Sequence, residues 1–399
     1  MISKKLNYAL YRTHAWVGLI SGLFLIVICV SVSVAVFRPE IERAVDWSDY
    51  HFNFAPNGRE PVSIECAIAT AEAAYPGARA TIARFPAFGG SWQSHGGGYG
   101  VSLNRGKGKG SLQVVVDPYD NRVVAEMSDN TVGDFIRQIH VRFFYGSFWG
   151  RWVVGFFGLT LLFSTISGLM IFTKFNAGSW WPKWRWGGGA RIVNADAHKI
   201  VGLGSVAFNI IFGITGAVIG LEGLYTRYVM PRPNKANVAR LERVKELPAG
   251  MIDRSVERAS QLIPDAKLAS VTLSHANTGM FRVNVETPVM SLVKENASYV
   301  TFNARTGEPM NVNDARKASA AGRFYYAMEP LHFGRLGGAM WVKLLWGLMG
   351  LSGGFLSVTG FVIYVLRKRK PKPRTAPVAA PSRDLADELG LVAAARVEN

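Results

Sequence analysis

Four apolar stretches stand out along the chain, at residues 15–37, 150–173, 200–222 and 340–366. A helix rises about 1.5 Å per residue, so about 20 apolar residues cross a hydrocarbon core of about 30 Å. Each stretch meets that length and is expected to be a membrane-spanning helix. Between them lie two long inserts of mixed pattern, 38–139 and 223–331, a loop at 174–199, a leader at 1–14 and a tail at 367–399. The first span resembles a signal peptide, with Lys4 and Lys5 before it and Ser33–Ala35 offering a weak cleavage site. Its apolar run is longer than such a segment needs, and three more spans follow, so it is read as a retained helix.

The pattern recurs. "HAWVGL" at His14–Leu19 matches "HKIVGL" at His198–Leu203, 184 residues later. The second and fourth spans match at a shift of 192, pairing His140 with His332, Trp149 with Trp341, Arg151 with Lys343, Gly155 with Gly347, Gly158 with Gly350 and Gly168 with Gly360. In the inserts, "AIATAEAAYPGA" (Ala67–Ala78) and "SVERASQLIPDA" (Ser255–Ala266) both read as a helix ended by proline. Apolar alternation around a turn follows each, at Asp117–Asn121 and at Thr306–Gly307. The expected architecture is a four-helix membrane bundle made of two parallel repeats of span, small α/β domain and span.

Charge sets the orientation. Only 18% of the 399 residues are charged and 49% are hydrophobic, against a net charge of +17. The densest basic run, Arg367–Arg374, follows the last span directly. Lys4, Lys5 and Arg12, the basic loop around Lys183 and Arg191, and that tail share one side if both termini are cytoplasmic. The two inserts then face the periplasm, Trp180, Trp181, Trp184 and Trp186 anchor the cytoplasmic interface, and no nucleic-acid partner is expected. Cys29 and Cys66 form no CxxC or CxxCH motif, which excludes a cysteine zinc site and covalent haem attachment.

Four histidines sit at predicted span ends, and the topology sorts them by face: His14 with His198 on the cytoplasmic side, His140 with His332 on the periplasmic side. A single interfacial histidine is ordinarily a polar cap. Two imidazoles on neighbouring helices can instead fill both axial positions of a haem iron, favouring electron transfer. The residues thus point to two non-covalent b-type haems. Gly18, Gly22, Gly155, Gly158, Gly202, Gly204, Gly347 and Gly350 would let helices approach closely or leave room for a macrocycle. Arg142, Arg151, Arg335 and Lys343 cluster near the periplasmic end, suited to haem propionates, an anionic substrate or lipid headgroups; Arg12 and Lys199 are placed for propionates at the other face.

His-x-x-x-Gly opening a span, four spans, and tandem helix-then-hairpin inserts resemble the PepSY-associated transmembrane family, over residues 8–368. Within it the chain is similar to ferric-siderophore reductases of the FoxB type. The resemblance implies periplasmic PepSY-like domains, haem, an inner-membrane location and reduction of a ferric siderophore. Trp92, His95 and Tyr99 in a glycine-rich loop, with Arg323, Tyr325 and Tyr326 before His332, are the candidate substrate contacts; domain packing is the alternative for each. No nucleotide-binding or hydrolase motif occurs, so electrons are expected from a quinol or a separate cytoplasmic reductase. The rival expectation is a non-redox transporter or ligand-binding sensor. The spans' shortage of ionisable groups counts against transport, and the shortage of a cytoplasmic signalling domain against a sensor.

Overall fold

The computed structural model describes residues 4–45, 52, 54–56, 58–86, 97–106, 110–127, 131–143, 149–175, 181–224, 246–273, 279–287, 292–293, 296–336 and 339–368. Its helices and strands run, in order, α1 (Lys4–Ala35), α2 (Arg38–Val45), α3 (Ile64–Ala74), β1 (Arg79–Arg84), β2 (Tyr99–Asn104), β3 (Ser111–Val116), β4 (Val123–Met127), α4 (Val132–Arg142) and α5 (Trp149–Phe175). The second half follows with α6 (Gly189–Gly204), α7 (Val206–Leu224), α8 (Met251–Leu262), β5 (Lys267–Thr272), β6 (Met280–Glu286), β7 (Ser298–Asn303), β8 (Pro309–Asn313), α9 (Ala320–Phe333) and α10 (Met340–Lys368).

Helices α1, α5, α7 and α10 are long and apolar enough to cross a membrane. The third expected span differs most from its helices: α6 starts well before residue 200 and gives way to α7 at Ser205. The hydrogen-bond ladder nonetheless runs through, with Ser205 N–H bonded to the Val201 carbonyl and Asn209 N–H to that of Ser205, both at 2.9 Å.

In lipid, apolar side chains gain little by leaving their surroundings, so helices associate through close packing of small residues. The most extensive helix contacts join the halves, α5 with α7 and α1 with α10. A Cβ on Gly155 would lie 2.9 Å from the Gly220 carbonyl carbon, and one on Gly158 would lie 2.7 Å from the Ala217 nitrogen. At the α1–α10 seam, a Cβ on Gly347 would meet the Phe37 ring at 3.0 Å and one on Gly350 the Ser33 hydroxyl at 2.9 Å. Close approach is therefore the role of these four glycines, and none leaves room for a macrocycle.

His140 and His332, expected at the ends of the second and fourth spans, stand on separate helices, α4 and α9. The Thr131 and Ser319 hydroxyls accept from Asp134 and Gly322 N–H groups and start fresh helices. Left-handed residues, Phe143 at φ 47° and Gly334 at φ 65°, end them before α5 and α10 begin. A Cβ at Gly334 would also lie 2.5 Å from the Trp346 ring. Helix α4 rests on α1, and α9 on α7.

The inserts build one antiparallel sheet of eight strands, ordered β4-β3-β2-β1-β5-β6-β7-β8. Two self-contained domains were expected; instead β1 pairs with β5 through Ile82–Thr272, Ala83–Val271 and Arg84–Ser270. Alone, β1 and β5 would each leave an open edge of unpaired backbone groups, and pairing removes both edges. Helices α3 and α8 cover one face, over a core that includes Ile64, Leu103, Val114, Ile263, Phe281 and Phe302.

The two helices also cap each other. The Glu65 carboxylate on α3 accepts from the N–H groups of Gly250 (2.5 Å), Ile252 (2.9 Å) and Asp253 (3.2 Å) at the start of α8. In return the Asp253 carboxylate accepts from the Glu65 N–H at 3.3 Å. Glu65→Ala leaves the α8 amides without that acceptor, and about 1–2 kcal/mol of stability should be lost. Thermal unfolding and faster amide exchange at Gly250–Asp253 measure the effect; unchanged exchange there would show that the cap contributes nothing.

Candidate functional site

Where α1 begins and α10 ends, α1 brings His14 and α6 brings His198 to a ring-centroid separation of 6.5 Å, with planes at 89°. His14 lies inside α1 rather than at its threshold. Its Nδ1 is 2.9 Å from the Ser167 hydroxyl on α5. Ser167 already donates its proton to the Phe163 carbonyl at 2.7 Å, so it can only accept, and the proton between them sits on His14 Nδ1. His198 repeats the arrangement: its Nδ1 is 2.9 Å from the Thr359 hydroxyl, which donates to the Phe355 carbonyl at 2.9 Å.

At the sheet end of the bundle, α4 and α9 bring His140 and His332 to 5.9 Å between centroids, with planes at 36°. His140 Nδ1 donates to the Ile28 carbonyl at 3.1 Å. His332 Nδ1 donates to the Thr215 hydroxyl at 2.8 Å, whose own proton goes to the Ile211 carbonyl at 2.6 Å. Burial pushes both imidazoles down, His140 to about 4 and His332 to about 3, so both are neutral at pH 7. Assigned from these partners, all four rings are protonated on Nδ1 and carry the lone pair on Nε2.

That donor set fits the expected cofactor. Two imidazoles holding one metal ion from opposite sides, each through a bond of about 2 Å, have centroids roughly 6 Å apart. Both pairs have that spacing. Among the described residues, no three of His, Cys, Asp and Glu come together, which suits a group needing two protein ligands better than a bare ion. A cavity of about 1000 Å³ surrounds His14 and His198 and reaches inward to Leu25, Leu161 and Asn209. A Cβ on Gly18 would meet nothing within 4 Å, and Gly18 lines this space. Arg12, Lys199 and Arg367 also line it, a cationic set for acidic substituents. Arg367 donates to the Tyr11 hydroxyl at 2.8 Å.

The cations at the sheet end have other work. Arg151 faces the Glu222 carboxylate at 3.9 Å and donates to the Ile219 carbonyl at 3.3 Å. Lys343, its counterpart in the second half, donates to Glu40 at 2.5 Å. Each clamps a helix of one half to a helix of the other. Arg335 pairs with Glu329 at 3.1 Å. These three charges are already met by carboxylates, which removes the reason to assign them to a propionate. Arg142 carries a buried Nε with no hydrogen-bond partner among the described residues, and so does Arg335 beside its pairing with Glu329.

Of the substrate candidates, Trp92 and His95 lie outside the described residues. Tyr99 is 5% exposed, inside the sheet–helix core, and donates to the Val62 carbonyl at 2.6 Å. It is a packing residue, and burial pushes its hydroxyl up to about 12. Tyr325 donates to the Glu222 carboxylate and Tyr326 accepts from Asn313 at 3.4 Å, so both brace α9. Arg323 is exposed. Sequence reasoning passed over Ser167, Thr215 and Thr359, since a hydroxyl in a span usually satisfies itself on the preceding turn. It also passed over Asn209, 2% exposed and bonded to the Ser205 and Ser352 hydroxyls at 2.8 and 3.1 Å. Its signal was available: an amide inside an apolar run needs partners.

Four helices long and apolar enough to cross a membrane define a multi-pass membrane protein, and it carries two pairs of closely spaced imidazoles. More narrowly, the chain belongs to the family described as the PepSY-associated TM region, whose model matches residues 11–367. It is also similar to an uncharacterized protein of Pseudomonas aeruginosa, 26% identical over 258 residues. That match covers 59% of this chain and 64% of the relative's length.

The clamp at Lys343 is testable by a double-mutant cycle. Lys343→Met alone strands the Glu40 carboxylate and should cost about 1–3 kcal/mol, while Glu40→Gln with Lys343→Met should recover most of that loss. Additive effects in detergent unfolding would contradict the pairing.

Proposed function

We propose that the chain is a transmembrane electron carrier that binds two b-type haems, one between His14 and His198 and the other between His140 and His332. The observation that supports this most is the spacing of both imidazole pairs together with their shared tautomer. A bis-imidazole haem, when bound, supplies a one-electron ferric/ferrous couple with no open coordination site. The chain's own part is to hold four imidazoles with Nδ1 engaged, shelter His140 from water, and offer Arg12, Lys199 and Arg367 to acidic groups at the other pair. We read the chain as two copies of one unit in a bacterial inner membrane, with both termini cytoplasmic and the sheet periplasmic, as the basic flanks imply.

The acceptor, by family resemblance, is a ferric siderophore. One electron reduces its Fe(III) to Fe(II), which hard oxygen ligands hold less firmly, and the iron is released. A quinol or a reduced cytoplasmic reductase supplies the electrons, a two-electron donor serving two ferric ions. Of the cations considered above, Arg142 and the exposed Arg323 are the ones we assign to an anionic chelate.

Purified protein should show a Soret band, reduced α and β bands after dithionite, and two haems per chain. His14→Ala and His332→Ala should each remove one haem and leave the other. A protein that folds in detergent and takes up no haem, or keeps both after these changes, would refute the assignment.

A further inference from the structure

The hydroxyl partners of the histidines share a feature that none of the motifs above contains. Ser167 is followed by Gly168, Thr359 by Gly360, and Thr215 by Gly216. In each case the glycine lies against the imidazole that the hydroxyl holds. A Cβ on Gly168 would be 3.1 Å from His14 Cε1, one on Gly360 would be 3.6 Å from His198 Cε1, and one on Gly216 would be 3.3 Å from His332 Cε1. The same two-residue seat therefore occurs three times, on three different spans. Its hydroxyl takes the Nδ1 proton, and its missing side chain admits the Cε1 edge. The fourth place departs from it. At the shift of 184, Thr215 and Gly216 correspond to Ser31 and Val32. Ser31 donates to the Ile28 carbonyl at 2.9 Å, and that carbonyl, rather than the hydroxyl, holds His140.

We propose that the Ser/Thr–Gly dipeptides Ser167–Gly168, Thr359–Gly360 and Thr215–Gly216 are histidine seats: positioning residues that fix the tautomer and tilt of His14, His198 and His332 and leave Nε2 as the ligating nitrogen. Each hydroxyl has spent its proton on a carbonyl of the preceding turn, so it cannot donate to Nδ1 and the alternative tautomer has no partner there. An imidazole whose Nδ1–H is held by an acceptor is a stronger electron donor through Nε2. Resting on the haem reading above, the seats then also set how strongly the ferric state is favoured. His140, held by a backbone carbonyl, is beyond the reach of side-chain variation, so the sheet-end pair has one tunable ligand and the other pair has two.

Thr359→Val tests this, because it keeps the shape of the side chain and removes the acceptor. In haem-free protein, the ¹⁵N shifts of His198 should change from a pure Nδ1–H tautomer to a mixture, and Thr359→Ser should restore the pure form. In haem-loaded protein the site of His14 and His198 should bind about 10–100-fold more weakly, and its midpoint potential should rise, with Thr359→Ser again close to wild type. Gly168→Ala should disturb His14 more than Gly360→Ala disturbs His198, in keeping with the tighter approach at Gly168. Unchanged ¹⁵N shifts in a Thr359→Val protein with wild-type thermal unfolding would overturn the seat. A wild-type protein that binds no haem, yet loses the pure tautomer in Thr359→Val, would keep the seat and overturn the haem reading. Changed shifts with unchanged affinity and potential would overturn the tuning role.

Discussion

A neutral imidazole buried among apolar helices carries one N–H that must be met, because an unmet buried donor costs about 1–3 kcal/mol. The positions of all four paired histidines follow from that requirement. Three find a span hydroxyl and the fourth a helix carbonyl, and each bond uses Nδ1. Satisfying Nδ1 in this way leaves Nε2 with its lone pair unshared by those bonds. Helices α4 and α9 pack against α1 and α7, the helices that carry the acceptors of His140 and His332.

The halves are held together by contacts that each half makes with the other. Glycine-mediated packing joins α5 to α7 and α1 to α10, β1 pairs with β5, and Glu65 and Asp253 cap each other's helices. Arg151–Glu222 adds an ion pair to the α5–α7 seam, and Lys343–Glu40 ties α10 to α2. Since both imidazole pairs also take one ring from each half, whatever fixes the seams fixes the spacing within the pairs.

The spans, the histidine pairing and the helix-then-strands order of the inserts were legible because each is written as local pattern: apolar run, repeated His-x-x-x-Gly, proline-ended helix. What was not legible depends on distance in the sequence. Joining of the two inserts into one sheet rests on β1 meeting β5, strands separated by the whole of α4 to α8. Lys343 and Arg151 looked like anion-binding cations because their partners, Glu40 and Glu222, come from the other half. Tyr99 looked like a loop residue, yet it opens a strand and points into the core. The hydroxyl–glycine seats were visible as letters, but only the geometry shows that each faces a histidine.

Low-temperature electron paramagnetic resonance of the oxidised, purified protein tests the central claim most directly, because the line shape of ferric haem reports its axial ligands and the angle between them. Rings at 89° and at 36° should give two different low-spin signals, the near-perpendicular pair with the larger maximum g value. A high-spin ferric signal, or none from haem at all, would contradict the pairing of imidazoles on iron.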